Sequence, residues 1–412
     1  MSGSRSQGGE QEREAELERA GWNVFNLDPR AIEIDLLTDV PFEPAPIVAG
    51  RARAAADAAG AATGHSDVAE PELAALAEAV YGPARYLFLA KGRSAELALS
   101  SALVPAGAVV LTNGLFRTTH RSVQVRGASV EVSPLAAHGS SAVDIDWARA
   151  RMAEARVAAV YIELASNARA GWTVELDHLR ALRRLCDERG ALLFIDATRG
   201  MANARALGQP ALASVRAAAG LADAFTISCA KELLVPSGSL LGLRDLAAQR
   251  AAFVYGFEEG ALLETAGPRR LLAEGLREIA ADPAWIDRRA AQLDLLAGEL
   301  RRLEVPLIEP VGAHAVFVRV ADDAAPGPHG NRALEALLYR VAGVRTMVQK
   351  SPLLGARIAR LAVAVGGHDD GALRRAAAGI ADWRRRAADA PSLTPVPSEC
   401  LHEQYFARYA RA

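Results

Sequence analysis

The chain has little net charge, few cysteines, few lysines and no long apolar run. Its 47 Lys and Arg side chains are balanced by 49 Asp and Glu side chains, for a formal net charge of −2. This balance provides no general field that would attract nucleic acid or an anionic membrane surface. No apolar stretch reaches the roughly 20 residues that span a bilayer, and the N-terminus lacks the apolar core of a secretion signal. We therefore expect a cytoplasmic protein with neither nucleic acid nor a membrane as its partner.

The cysteines argue against a metal centre or a disulfide framework. Only Cys186, Cys229 and Cys400 are present, an odd number at wide spacings. No CxxC pair or Cys/His cluster has the spacing of a structural zinc site. We expect a reduced, intracellular protein without a metal site.

Lysine is scarce because arginine supplies nearly all of the positive charge. The only lysines are Lys91, Lys231 and Lys350. A lysine retained in such a sequence points to a role that arginine fills poorly, such as an amine nucleophile or a compact phosphate contact. Composition bias alone is the alternative explanation of these three positions.

The length and the apolar content indicate a large domain with a smaller one. The 412 residues contain 51% hydrophobic side chains, more than one minimal core requires. From about residue 85, short apolar β-prone runs alternate with helical patterns, which is typical of βα units around a mainly parallel sheet. The predicted strands lie at 85–89, 108–112, 128–132, 157–164, 191–195, 224–228 and 239–243. The fold class is therefore α/β, with a seven-stranded, mainly parallel sheet in the large domain.

Beyond residue 269 the pattern changes to that of a smaller α+β domain. Arg/Ala/Leu-rich helices at about 270–303 precede three separated strands at 314–320, 344–348 and 359–365, and a last helix lies near 371–387. The predicted segments are a disordered tail at 1–12, an N-terminal arm of the small domain at 13–49, a large domain at 50–295, a C-terminal small domain at 296–390, and a Pro-rich linker with a C-terminal tail at 391–412.

The segment FIDATRG, 194–200, ends an apolar strand on Asp196 just before a helical pattern. In open α/β sheets, ligands bind outside the carboxyl ends of the strands. A buried carboxylate there needs a cationic partner, because an unpaired one would take up a proton. The pyridinium nitrogen of pyridoxal 5′-phosphate (PLP) is such a partner, and its protonation makes the ring an electron sink. The alternative is a helix-capping aspartate followed by a structural Arg199.

The segment FTISCAKELLVPSGSLLGL, 225–243, places a lysine just after another strand end. A lysine desolvated beside a cationic ring can lose its proton and become a nucleophilic amine. Ser228 is placed to bind phosphate, and Gly238 allows a tight turn. The order of Asp196 and Lys231 on neighbouring strand ends predicts that Lys231 holds PLP as a Schiff base. A structural lysine at a strand end is the alternative.

A third segment, AKGRSAELALSSAL at 90–103, joins a strand end to a helix that opens near Ser94. A helix N-terminus with glycine and unbonded backbone N–H groups attracts anions, and Lys91 and Arg93 add positive charge next to Gly92. By itself this pattern does not specify phosphate. Beside the Asp196 and Lys231 segments, it predicts the phosphate end of a PLP site.

Together these segments resemble the β-eliminating lyases, the PLP family of tryptophanase and tyrosine phenol-lyase. The resemblance runs nearly end to end, and the matching segments are 20–39, 91–96, 113–128, 166–185, 195–204, 228–238, 303–318 and 342–347. It implies the type I PLP-dependent transferase (aspartate aminotransferase) fold. It also implies a homodimer or homotetramer that acts on a small-molecule amino substrate.

The resemblance also implies roles for individual residues. Gly92, Arg93 and Ser228 would bind the phosphate. Lys91, which adds positive charge beside them, is a further candidate cofactor contact. Phe116 would stack on the pyridine ring, and Asn167 and Arg199 would contact the ring oxygen. Taken alone, Phe116 could be a core residue, Asn167 a turn residue, and His314 a satisfied interior histidine.

The substrate-binding segments depart from the family. The stretch RLAVAVGGHDD, 360–370, keeps Arg360 but has Val365 and Gly366 where the family has paired arginines, one of which clamps the substrate carboxylate. Residues 60–72 contain no tyrosine general acid, and Ala62 stands where a cation-binding carboxylate is expected. A relocated clamp would come from arginines matched by motif, and the candidate substrate contacts are Thr38, Arg117, Arg121, His314 and Arg345. The alternative is a substrate whose carboxylate is masked or absent.

The sequence therefore predicts a PLP-dependent lyase that acts on an amino acid or related amine through an external aldimine and a quinonoid. Lys231 would be the base at the substrate Cα, and a side-chain substituent would be eliminated or replaced. The shared scaffold leaves an aminotransferase or a retro-aldol or decarboxylating enzyme as alternatives. A non-catalytic PLP-fold binding protein is the third possibility.

Overall fold

The computed structural model describes residues 9–41, 43–59, 68–396 and 407–411, which form two structural units. The large unit consists of residues 40–290 and 312–314, and the small unit of the residues up to 39, residues 291–311 and those from 315 onward. The sequence placed the boundaries at 49/50 and 295/296. None of the helices in the described part of the chain is long and apolar enough to cross a membrane.

The α-helices of the described residues follow one another in this order: α1 (Glu10–Arg19), α2 (Pro46–Ala59), α3 (Glu70–Tyr81), α4 (Gly92–Leu103), α5 (Arg117–Gln124), α6 (Ile145–Glu154), α7 (Leu176–Arg189), α8 (Gly200–Ala206), α9 (Ala211–Leu221), α10 (Leu246–Glu258), α11 (Ala266–Ala281), α12 (Ala284–Arg302), α13 (Gly330–Ala342) and α14 (Asp370–Arg385).

The strands of the described residues are β1 (Ile34–Asp35), β2 (Arg85–Leu89), β3 (Val109–Thr112), β4 (Ser129–Val132), β5 (Val157–Glu163), β6 (Leu192–Asp196), β7 (Ala224–Ser228), β8 (Ser239–Leu243), β9 (Ala315–Val320), β10 (Val344–Arg345), β11 (Met347–Ser351), β12 (Ala356–Ala362), β13 (Leu393–Pro395) and β14 (Tyr409–Arg411).

The large unit is built around a seven-stranded sheet in the order β2-β8-β7-β6-β5-β3-β4. Strands β4, β3, β5, β6 and β7 are parallel, and β8 runs antiparallel to both β7 and β2. Strands β5 and β6 read as nearly continuous apolar runs because helices cover both faces of such a sheet. The prediction of seven mainly parallel strands is confirmed, and each predicted strand end lies within one residue of the observed end. The parallel arrangement brings the carboxyl ends of β5, β6 and β7 to one edge.

The small unit contains a three-stranded antiparallel sheet, β11-β12-β9, and two strand pairs. One predicted strand, 344–348, is split into β10 and β11, and the strand predicted at 359–365 lies at 356–362. The helical stretch predicted at about 270–303 is two helices, α11 and α12, interrupted at Pro283, because proline cannot continue the hydrogen bonding of a helix. The apolar arm residues Ile34 and Leu36 are buried in the core of their own unit.

Both ends of the small unit differ from the sequence expectation. Residues 10–12, predicted as part of a disordered tail, lie in α1, where the Glu10 carboxylate pairs with Arg386 at 2.7 Å. The Pro-rich segment predicted as a linker contributes β13, which pairs with β14. The partner of Glu10 lies more than 300 residues away, so local composition could not reveal that contact.

Candidate active site

Asp196 and Ser228 end neighbouring parallel strands, and Lys231 follows directly. Asp196 is the last residue of β6, and its Cα is paired with that of Thr226 on β7. Ser228 ends β7, and a single 3-10 turn, Cys229–Lys231, then carries the chain to the lysine. The fold therefore brings the two residues predicted to bind the ring nitrogen and the aldehyde carbon of PLP to the same edge of the sheet.

The Asp196 carboxyl is buried but has cations near it. Its side chain is 6% exposed, and Oδ1 accepts a hydrogen bond from the Thr198 backbone N–H at 3.0 Å. Burial raises the pKa of Asp196, and the hydrogen bonds from Thr198 and the charges of Arg199 and Lys231 act in the opposite direction. A carboxyl in this setting is suited to holding a proton on a bound ring nitrogen.

The N-terminus of α4 lies against Ser228. The helix begins at Gly92, and a Cβ on that glycine would stand 3.0 Å from both Cβ and Oγ of Ser228, a tight contact that favours glycine. The Lys91 carbonyl accepts a hydrogen bond from Ser239 Oγ at 2.8 Å, which fixes the turn into the helix. Helix N–H groups beside a serine hydroxyl form a cradle for an anion. This cradle and the buried Asp196 fit the two polar ends of PLP.

The loop after β3 carries the predicted ring-stacking residue. Phe116 precedes α5 and is 41% exposed, so it is not a core residue. Arg117 and Arg121, on α5, are exposed as well. The side chain of Asn113 ties this loop to the sheet, because its Nδ2 donates to the Glu163 carbonyl at 2.9 Å.

A buried acid that the sequence reasoning missed anchors the lysine loop. Glu232 is 1% exposed and accepts hydrogen bonds from the backbone N–H groups of Met201 and Ala202, at 3.0 and 2.9 Å. Arg289 donates to the same carboxylate at 2.8 Å. The loop is thereby tied to the first turn of α8. The only sequence signal of this role was the acid Glu232 directly after Lys231 in an otherwise apolar segment.

Glu163, Asn167 and His314 form a buried polar chain beside Asp196. The Asn167 backbone N–H and Nδ2 both donate to Glu163 Oε1, at 3.1 and 3.3 Å, and His314 Nε2 lies 3.0 Å from Asn167 Oδ1. Arg199 lies 3.8 Å from Glu163 Oε1. Asn167, His314 and Arg199 were predicted as site residues. Glu163 was not, although an acid at the end of an apolar strand next to the Asp196 strand was its signal.

The remaining predicted substrate contacts lie in the small unit. The Arg345 guanidinium forms a buried two-bond ion pair with Asp35, at 3.1 and 2.8 Å, so it is already engaged by a carboxylate of its own chain. Thr38 is half-buried. Arg360 donates to the Leu37 carbonyl at 2.8 Å. The position predicted to replace the family's cation-binding carboxylate, Ala62, lies outside the described residues.

Comparison with known proteins gives a family and a fold. The sequence profile of the β-eliminating lyase family matches residues 35–369. A probable tryptophanase of Halobacterium salinarum is 30% identical over 367 residues, which cover 82% of this chain and 80% of that protein. A tyrosine phenol-lyase of Intrasporangium calvum is 30% identical over 363 residues, covering 82% and 76%.

Solved structures match the same fold at lower identity. A threonine aldolase of Leishmania major superposes with a TM-score of 0.67 at 17% identity, covering 86% of this chain and 99% of that one. An aspartate aminotransferase variant of Thermus thermophilus superposes with a TM-score of 0.66 at 20% identity, covering 85% and 96%. The predicted type I fold is confirmed.

Proposed function

Because the chain belongs to the β-eliminating lyase family and is a PLP-dependent lyase, we propose that it eliminates or replaces a side-chain substituent of an amino acid or related amine. The observation that carries this proposal is the placement of Asp196 and Lys231 on adjacent strand ends, with the α4 cradle beside them. In this arrangement Asp196 would bind the ring nitrogen of PLP, Lys231 its aldehyde carbon, and the α4 cradle its phosphate.

In this proposal, the large unit holds PLP at both ends and along its ring. The N-terminus of α4 at Gly92 and the Ser228 hydroxyl bind the phosphate, and Lys91 and Arg93 add positive charge. Phe116 stacks on the ring. The side chains assigned to the ring oxygen are Asn167 and Arg199, both buried beside Glu163.

PLP, when bound, supplies an electron sink for the carbanion at the substrate Cα. Asp196 would keep the proton on the ring nitrogen, because a cationic ring beside it would oppose the rise in the pKa of Asp196 that burial causes. Lys231 would hold the cofactor through Nζ and, as a free amine, would accept the Cα proton on the same atom. The same ammonium can then return that proton to the product.

The substrate carboxylate is met by an arginine other than the family pair. Arg117 and Arg121 support this proposal, because both are exposed on α5 immediately after Phe116. Arg345 is the weaker candidate, since Asp35 already occupies its guanidinium. Thr38 is a further proposed contact, whereas the His314 side chain is fully buried against Asn167.

The test is a turnover screen. The PLP-loaded protein is incubated with a panel of amino acids and amines, and keto acid, ammonia and pyridoxamine phosphate are quantified. The proposed lyase should yield keto acid and ammonia in equal amounts with at least one substrate. Keto acid formed together with pyridoxamine phosphate and without ammonia would instead identify an aminotransferase.

We further propose that the chain assembles into a homodimer or homotetramer, which rests on its family membership. Light scattering at micromolar concentration should give a mass of two or four chains. A monomeric mass would contradict this proposal. The cytoplasmic location expected from the sequence likewise stays a proposal, which cell fractionation would test.

A further inference from the structure

Glu163 is a buried acid that the proposed chemistry does not use. Its side chain is 2% exposed at the end of β5, where its Cα is paired with that of Asp196 on β6. Oε1 accepts both hydrogen bonds from Asn167. Oε2 is buried, and no hydrogen-bond partner for it is found among the described residues. Burial of an acid is costly, so the position requires an explanation.

The Asn167 amide is held from two opposite sides. Its Nδ2 donates to Glu163 Oε1 at 3.3 Å, and its Oδ1 lies 3.0 Å from His314 Nε2. Because Nδ2 donates to the carboxyl oxygen, Oδ1 faces the histidine, and the contact is a hydrogen bond in the tautomer that carries the hydrogen on Nε2. With both ends engaged, the direction of the second Nδ2 hydrogen is fixed.

The fold makes room for His314 in this arrangement. A Cβ on Gly171 would stand 3.0 Å from both Cε1 and Nδ1 of the histidine ring, and the glycine adopts a φ of +71°. The Ala313 backbone N–H donates to the Gly171 carbonyl at 2.9 Å. The histidine is thus attached to the same loop that carries Asn167, and its side chain is fully buried.

We propose that Glu163 and His314 are positioning residues, which hold the Asn167 amide in the orientation that binds the ring oxygen of the cofactor. This inference rests on the proposed function, which assigns Asn167 to that oxygen. Neither residue needs to touch the substrate. Each acts through Asn167, so the effect of removing either should disappear when Asn167 is absent.

The ionisation of Glu163 favours a hydrogen-bonding role over a charge. Burial, followed by the negative charge of Asp196, raises the pKa of Glu163 to about 8, against the opposing effects of Arg199 and Asn167. The carboxyl is therefore largely protonated at neutral pH. Glutamine has the same shape and the same accepting oxygen, so it should replace Glu163 with little loss.

The experiment measures the pKa of the Lys231–PLP Schiff base from its absorption spectrum as a function of pH. The ring oxygen and the Schiff-base nitrogen share one proton. A hydrogen bond from Asn167 to the ring oxygen stabilises the anionic form of that oxygen, and so lowers the pKa of the Schiff base. Glu163→Ala should loosen Asn167 and raise the Schiff-base pKa by about half a unit to one unit, the size of one hydrogen bond. Glu163→Gln should stay close to the parent.

A double-mutant comparison tests whether the effect passes through Asn167. Asn167→Ala should raise the Schiff-base pKa at least as much as Glu163→Ala, and combining the two should raise it no further. His314→Ala should shift it in the same direction. Glu335→Gln, which alters a buried acid of the small unit, is the control and should leave the value unchanged.

Three outcomes would overturn the inference. The first is a Glu163→Ala variant with the Schiff-base pKa of the parent. The second is a Glu163→Gln variant whose Schiff-base pKa is raised as far as that of Glu163→Ala. The third is additivity of the pKa changes caused by Glu163→Ala and Asn167→Ala. Failure of the proposed function looks different, because the parent protein itself would then show no Schiff-base absorption when supplied with PLP.

Discussion

Glu163 and Asp196 occupy paired positions of two adjacent parallel strands, and both side chains are buried. Two neighbouring carboxyls in a site of low polarity are not both readily ionised, because each negative charge disfavours the other. Burial raises the pKa of both groups, and that of Glu163 reaches about 8. The charges of Arg199 and Lys231 oppose the rise in the pKa of Asp196, and the charge of Arg199 opposes the rise in that of Glu163.

The stability of the PLP-free protein should depend on pH through Glu163. Its pKa is raised from 4.5 to about 8 by folding, so the folded state binds the proton more tightly than the unfolded state does. The contribution is fully present below pH 4.5 and is lost as the pH rises towards about 8. Urea denaturation across this window should show the unfolding free energy falling with pH.

The matched variant is Glu163→Gln, which has no proton to lose. Its unfolding free energy should fall less steeply over the same pH window. A pH dependence identical to that of the parent would show that Glu163 does not change its pKa on folding.

Replacing Asp196 should greatly reduce turnover without preventing the binding of PLP. Asp196→Ala removes the carboxylate that keeps the ring nitrogen protonated, while the α4 cradle and Lys231 remain. We expect the variant to retain some PLP and to lose about 10²-fold or more in kcat, the effect of removing one electrostatic stabiliser from a dry site. Steady-state kinetics with the best substrate of the panel gives the value.

Glu335→Gln is the control for Asp196→Ala, because Glu335 is an equally buried acid in the small unit. It should retain the parent kcat. Full activity of Asp196→Ala would mean that the reaction needs no protonated ring nitrogen at this position.

The ion pair between Arg289 and Glu232 should stabilise the folded protein at the loop that carries Lys231. Both side chains are 1% exposed, so Arg289→Ala leaves a buried acid without its cation. We expect a loss of about 3 kcal/mol in unfolding free energy, the usual cost of breaking a buried pair. Urea denaturation measures it, and the double variant Arg289→Met with Glu232→Gln should recover part of the loss. Equal stability of parent and Arg289→Ala would rule out this role.

Single arginine variants should show which residue binds the substrate carboxylate. Arg117→Ala or Arg121→Ala should raise the amino-acid concentration that gives half of the spectral change of PLP by about tenfold or more, because a charge-assisted contact is lost. Arg345→Ala should mainly reduce stability, since it breaks the pair with Asp35. If all three variants respond as the parent does, the clamp lies elsewhere. If the parent responds only to amines, the substrate has no free carboxylate.

The large-unit sheet could be predicted because local sequence determines it. Strands buried on both faces are apolar throughout, and Asp196 and Ser228 stand out as polar residues at their ends. The same rule would have found Glu163, which ends β5 in the same way. It was missed because the resemblance assigned a role to Asn167 and none to the residue that holds it.

The small unit was harder to predict because long-range contacts shape it. Helix α1 is tied by Glu10 to Arg386, and β13 exists only because β14 pairs with it. The ion pair between Arg345 and Asp35 is also a long-range contact, because the two residues are about 310 positions apart in sequence. No local pattern distinguishes an arginine awaiting a substrate from one paired within its own chain.

The most direct test of the central claim is to locate the lysine that carries PLP. The holoprotein is reduced with borohydride, digested, and its peptides analysed by mass spectrometry. The side-chain amines that can carry the group are those of Lys91, Lys231 and Lys350. The account predicts a phosphopyridoxyl modification on Lys231 and none in a folded Lys231→Ala variant. Modification of Lys91 or Lys350 instead, or none in the parent protein, would contradict it.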